Sequence, residues 1–210
     1  AKPSRPITIR DLMTHTSGLG PAAPGIADIM VTMDRTLADA VLIYSQQPLE
    51  FEPGTRWMYS NTGIATLGRI VEVLSGMPFD RFLETRIFAP LGMKDSHIFL
   101  PAAKRARVAP VYTEKEGKLV KAGAAILGGD PMKYREGKPY SGPEHALYST
   151  APDLARFYAM LLNGGTLDGK RILSPASVRS MATVHTGTLK AGHDPGVGFG
   201  LTVAVTFAPE

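Results

Sequence analysis

The chain reads as an α+β protein, mainly helical, with short strands. Three observations predict this. Residues that cap helices stand at the head of successive stretches with apolar period near 3.6. Gly or Pro ends most of those stretches. The strand candidates are short and cluster about Gly-containing turns. A length of 210 residues suffices for one sizeable core or two small subdomains.

Thr8 and Asp11 form a capping pattern for a helix within Ile7 to Thr16, with Ile9, Leu12 and Met13 on its apolar side and Gly18 as its stop. Pro21 and Pro24 mark the stretch from Gly20 to Gly25 as loop. Thr36 and Asp39 head a second helix reaching Gln47, with Leu37, Val41 and Tyr44 on one side. Pro48 to Gly54 leads to Pro53-Gly54, a turn signal. Asn61 and Thr62 can cap the next helix, which has the clearest period in the chain: Leu67, Ile70, Val71 and Leu74. That face is expected to be buried, and Gly76 to end the helix. Pro78 opens another, with Phe79, Phe82 and Leu83 inward, ending near Pro90 before Leu91-Gly92-Met93 turns the chain out.

Asp95 to Gly142 has no long period. Val108 to Tyr112 and Lys118 to Ala122 are strand candidates about Glu116-Gly117. Gly128-Gly129-Asp130-Pro131 and Gly137-Lys138-Pro139 are loop signals. Thr150, Pro152 and Asp153 start a helix with Leu154, Phe157, Tyr158 and Leu161 expected inside and Gly164 as the stop. Asp168-Gly169 signals a hairpin. Ser174-Pro175 caps a last helix to about Met181, and Val197 to Thr206 reads as one strand.

The segment Pro53 to Gly63 organises the rest. It holds Trp57, the one Trp, and sets a phenol, a hydroxyl and an amide side by side in Tyr59-Ser60-Asn61. Polar side chains at a helix mouth face unpaired N–H groups, which suits a site that handles negative charge. The tripeptide alone favours the plainer alternative, an ordinary cap beside a buried Tyr.

Composition removes several functions. At 44% apolar and 20% charged the chain is ordinary globular protein, and no apolar run is long enough to cross a bilayer. The net charge of +4 gathers in Lys104, Arg105, Arg107, Lys115, Lys118 and Lys121, interleaved with Glu114 and Glu116. A nucleic-acid surface is denser and carries stacking aromatics, so these residues read as a solvated face and no nucleic acid is expected. Without Cys, disulfides and thiolate chemistry are out. The chain starts at Ala1 with no Met and no secretory leader pattern, so its start is expected to be internal to a longer protein; cytoplasm, periplasm and secretion all stay open.

A self-sufficient hydrolase needs a nucleophile and a base. The sequence has no G-x-S-x-G elbow, and no Ser is followed three residues later by Lys. His15, His97, His145, His185 and His193 give no H-E-x-x-H and no i, i+4 pair, so no metal is expected. Gly196 to Gly200 is not a dinucleotide fingerprint, and no cofactor is expected. Each lone His reads as a hydrogen bonder.

Five ordered segments carry a family resemblance. Ile7 to Leu19 resembles "ITxRxLLTHTSGL", and Pro53 to Gly63 resembles "PGTxxxYSNxG". Pro90 to Ser96 resembles "PLGMxxT", Tyr148 to Phe157 resembles "STAxDLARF", and Leu173-Ser174-Pro175 resembles "LLSP". These belong to serine hydrolases of the β-lactamase and penicillin-binding-protein fold, nearest to class C β-lactamases and the related esterases and D-peptidases. The resemblance implies the helical subdomain of that fold, with the sheet incomplete.

It also implies chemistry. In the family a Ser of S-x-x-K is acylated, with Lys and a Tyr sharing the proton work. Tyr59 then becomes the base/acid partner, Asn61 the residue that positions Lys and the substrate carbonyl or amide, and Ser60 a substrate contact. The implied substrate is a small ester, β-lactam or D-amino-acid peptide, with ester preferred; the other class of reading is a non-catalytic binding module of the same fold. Residues 1–210 are expected to be a partial domain, with the S-x-x-K part before Ala1 and the K-T-G or H-x-G strand after Glu210. On that expectation the chain holds no nucleophile, is inactive alone, and self-associates through apolar surface left bare. Gly142 to Leu147 departs from the family's glycine-rich run, which bears on local substrate contacts.

Overall fold

The computed structural model describes residues 2–20, 27–123, 137–192 and 196–206. The loop signals at Pro21, Pro24 and Gly128 to Pro131, and His193, lie outside the described residues.

α1 (Ile9–Met13) starts as its sequence predicts. Thr8 Oγ1 accepts from Asp11 N–H while the Asp11 carboxylate accepts from Thr8 N–H, a reciprocal capping box. Leu12 is buried, but Ile9 is half-exposed. α2 (Ala27–Thr32) has no sequence signature of its own, yet Ile29 and Met30 enter the core. α3 (Leu37–Tyr44) is capped by Thr36, as expected, and buries Leu37, Ala40 and Tyr44.

α4 (Asn61–Ser75) runs to Gly76, whose positive φ ends it. Its cap is Ser60 rather than Asn61 or Thr62: Ser60 Oγ accepts from Gly63 N–H at 3.0 Å. Its buried face also differs from the expected one. Thr62, Gly63, Ala65 and Gly68 are buried, Leu67, Ile70 and Val71 are half-buried, and Leu74 is 79% exposed. The reason is close approach. α1 and α3 both pack on α4, and helix backbones come nearest where side chains are smallest. A Cβ on Gly68 would lie 2.2 Å from Pro143 Cγ, so the loop at 140–146 rests directly on this helix. Tyr140, wholly buried, anchors that loop beside Met33, Leu37 and Ala65 and donates its hydroxyl to Glu144 at 2.9 Å.

α5 (Phe79–Leu83) passes into a wider helical turn over Glu84–Phe88, where Ala89 N–H reaches back to Glu84 O. α6 (Ala89–Leu91) follows, and Gly92 at φ 67° stops it. Phe88, Leu91 and Met93 build a second core with Met160 of α7 (Ala151–Leu162). α7 keeps its expected Thr150 cap but turns Phe157 and Leu161 inward, while Leu154 and Tyr158 face out. Its buried Asp153 accepts from Asp95 N–H and Ser96 Oγ, each at 2.8 Å, which ties the chain after α6 to this helix start. α8 (Pro175–Met181) is capped by Ser174.

The strands form three separate antiparallel ribbons. β1 (Tyr112–Lys115) pairs with β2 (Lys118–Lys121), β3 (Thr166–Leu167) with β4 (Lys170–Arg171), and β5 (Val197–Phe199) with β6 (Ala204–Thr206). Glu116 and Gly117 both take positive φ, a two-residue turn that sets Lys115 opposite Lys118 and so places β1 four residues later than Val108. The strand expected from Val197 to Thr206 is instead a hairpin, because Thr202 at φ 66° turns the chain between β5 and β6. A short 3₁₀ turn, Ala102–Arg107, brings Arg107 and Lys104 onto Asp95, whose carboxylate they hold well below the usual range. Among the described residues no helix is long and apolar enough to cross a membrane.

Candidate active site

The segment after α1 is unusual in being polar and buried at once. Thr14, His15, Thr16 and Ser17 are each 5% exposed or less. Burial of polar groups is tolerable only when they are hydrogen-bonded, and here they are. Thr14 Oγ1 donates to Arg10 O, Thr16 Oγ1 to Asp11 Oδ1, and Ser17 Oγ accepts from Leu19 N–H. The backbone then runs against residues 50–60: Gly54 N–H donates to Thr16 O, Glu50 N–H to Gly18 O, and Met58 N–H to His15 O. Gly18, at φ 79°, is required here, since a Cβ would sit 2.2 Å from Phe51 O.

The Asp11 carboxylate pins the start of this strip. Burial alone would raise its pKa. Hydrogen bonds from Arg5, at 2.7 and 2.9 Å, and from Thr8 outweigh that and hold it at about 2.

The three residues of Tyr59-Ser60-Asn61 are presented in alternation. Ser60 is extended, φ −134° and ψ 106°, so its neighbours project to one side and Ser60 to the other. Tyr59 is 47% exposed and Asn61 is exposed, whereas Ser60 is 1% exposed. Ser60 Oγ is engaged twice, accepting from Gly63 N–H and pairing with Thr62 Oγ1 at 3.0 Å. Since Thr62 Oγ1 donates to Gly20 O, Ser60 is the donor of that pair. Its hydroxyl is the cap of α4, because an extended residue between two exposed ones points inward.

His15 is the site residue that lone-residue reasoning missed. It is 3% exposed, at φ 58°, and its Nδ1 accepts Ser60 N–H at 3.1 Å. Accepting at Nδ1 fixes the neutral tautomer with its proton on Nε2. Burial pushes the imidazole pKa down to about 4. Its ring lies 4.5 Å from that of Tyr59, tilted by 33°. Phe199 of β5 meets it edge-on at 4.9 Å, and Trp57 at 6.1 Å. The usable signal was the run Thr14 to Gly18, polar yet uncharged between Leu12 and Leu19.

Beside the start of the segment, Pro3, Ile7, Leu12, Val41, Leu49 and Ile70 line a mostly apolar cavity of about 510 Å³. His97, His145 and His185 do not join Tyr59: His97 contacts Lys104, His145 contacts Glu144, and His185 contacts Ser180 O.

Comparison with known proteins places the fold. The β-lactamase family matches residues 1–209. Lovastatin esterase of Penicillium rubens is 34% identical over 88% of this chain and 46% of its own length. Penicillin-binding protein 4 of Amycolatopsis lactamdurans is 33% identical over 95% of this chain and 50% of its own. The structure of the octameric penicillin-binding protein homologue from Pyrococcus abyssi superposes with a TM-score of 0.71 at 26% identity, covering 95% of this chain and 43% of that one. The chain spans about half the length of the curated relatives it matches. With a fold that superposes along nearly its whole length and a family match from end to end, the chain belongs to the β-lactamase family.

Proposed function

We propose that these residues carry the acid–base and positioning part of a serine hydrolase that works through an acyl-enzyme. The observation that carries the reading is the alternation at Tyr59-Ser60-Asn61, which leaves a phenol and an amide side by side at the mouth of a 15-residue helix. In the proposed reaction a Ser hydroxyl adds to the substrate carbonyl and its proton passes to the Tyr59–Lys pair. The tetrahedral adduct then expels an alcohol or amine, which takes that proton, and water later releases the acid. A phenolate is a competent base at neutral pH only beside a cation, so Tyr59 needs the Lys of S-x-x-K. Asn61 can donate its amide N–H to a carbonyl and offer its oxygen to that Lys.

The Ser and Lys belong, on this reading, to the half of a relative-length protein that these 210 residues do not supply. A carboxyl ester is the favoured substrate, with a β-lactam or a D-amino-acid peptide as the alternatives; the relatives named for lovastatin and for penicillin support that range. Self-association of the chain is part of this reading: the Pyrococcus abyssi homologue is octameric, and sedimentation of the isolated chain by analytical ultracentrifugation tests it.

The test is to incubate the 210-residue chain and the full-length protein with a chromogenic ester and a chromogenic cephalosporin, and to read covalent adducts by intact mass. The account expects turnover and an acyl adduct from the full-length protein and neither from the 210 residues alone. A full-length protein that binds these compounds without turnover or adduct favours a non-catalytic binding module of the same fold.

A further inference from the structure

We propose that His15 is a positioning residue for Tyr59, a role that rests on the acyl-transfer reading above. Tyr59 lies between Met58 and Ser60, and the N–H groups of both neighbours donate to the same residue: Met58 N–H to His15 O at 2.9 Å, Ser60 N–H to His15 Nδ1 at 3.1 Å. The phenol-bearing residue is therefore bracketed by two hydrogen bonds into one partner 44 positions earlier in the chain.

The ring completes the hold. Half of Tyr59 is open to solvent, and such a side chain ordinarily samples several rotamers. Here one face of the phenol leans on an imidazole that is itself buried and that Phe199 and Trp57 meet edge-first. Burial keeps the imidazole neutral, so Nδ1 stays an acceptor and no positive charge competes with the Lys that the phenol needs. Precise placement of a reacting group matters for rate, and an error of about 1 Å can cost on the order of 10²-fold.

His15 acts on turnover through the phenol of Tyr59. His15→Asn is the informative substitution. Asn tolerates positive φ and its amide oxygen can accept Ser60 N–H, while the ring is lost. In the full-length protein acting on a p-nitrophenyl ester, His15→Asn should lower kcat by about 10-fold or more with little change in KM. In a Tyr59→Phe background the same substitution should change kcat by less than about 2-fold, since the group it positions is gone. Losses that multiply independently, or an unchanged kcat in His15→Asn, overturn the proposal. If Tyr59→Phe itself leaves kcat unchanged, the acyl-transfer reading fails instead, and His15 loses its role with it. Should His15→Asn not fold, nitrogen NMR of the imidazole in the unaltered protein decides. An accepting Nδ1 with the proton on Nε2 at neutral pH supports the proposal, and an imidazolium or an Nδ1–H tautomer overturns it.

Discussion

Acidification should weaken the fold through His15 well above the pH at which carboxylates titrate. The imidazole has an ordinary value of 6.5 and is held at about 4 in the native state by burial. As pH falls below 6.5 the unfolded chain takes up a proton that the folded chain refuses, so the unfolded state gains stability. The His15 contribution is complete above pH 6.5, erodes between 6.5 and about 4, and is gone below that. At about 1.4 kcal/mol per pH unit the loss comes to roughly 3 kcal/mol. This is a large fraction of the roughly 5–15 kcal/mol that holds a typical domain. Asp11 acts in a separate window, between its ordinary 3.8 and about 2, also with stability lost as pH falls. His97, shifted down by burial and Lys104, acts in the same direction as His15. The diagnostic is therefore a difference: urea unfolding followed by fluorescence at several pH values, in the wild type and in His15→Asn. The wild type should lose stability more steeply than the variant between pH 6.5 and 4.5. Parallel curves for the two proteins would refute the reasoning.

Other substitutions separate the helix contacts. Ser60→Ala removes the α4 cap, and urea unfolding should read a loss of about 0.5–2 kcal/mol. Gly68→Ala drives a methyl into Pro143 and should destabilise by about 1–3 kcal/mol, with proteolysis near residues 140–146 increased. Leu91→Ala should cost about 2–5 kcal/mol because Leu91 is wholly buried, whereas Leu74→Ala at 79% exposure should stay within about 0.5 kcal/mol in the same assay.

Helix ends were legible because capping is local chemistry. Thr8, Thr36, Thr150 and Ser174 cap where the sequence puts them, and Gly76 and Gly92 stop the chain with positive φ. Helix faces were less legible, since an apolar stripe does not say what covers it. Leu74 lies on the best stripe in the chain and is exposed, while Ala65 and Gly68, invisible to an apolar count, make the deep contacts. α2 was missed because six residues are too few to show a period, and its Ile29 and Met30 are held by tertiary packing. At the site, the exposure of Tyr59 and Asn61 and the inward turn of Ser60 were not legible, because a residue list carries no direction. His15 was passed over because burial, ring packing and a 45-residue separation from Ser60 are properties of the fold.

The central claim, that Tyr59 at the mouth of α4 handles protons in acyl transfer, has a direct test in one atom. Tyr59→Phe removes a hydroxyl from a half-exposed ring and leaves its contact with His15 in place. In the full-length protein, turnover of a chromogenic ester should fall by roughly 10²-fold or more while the urea midpoint stays near that of the wild type. A Tyr59→Phe protein that folds normally and turns over its best ester at the wild-type rate would contradict the account.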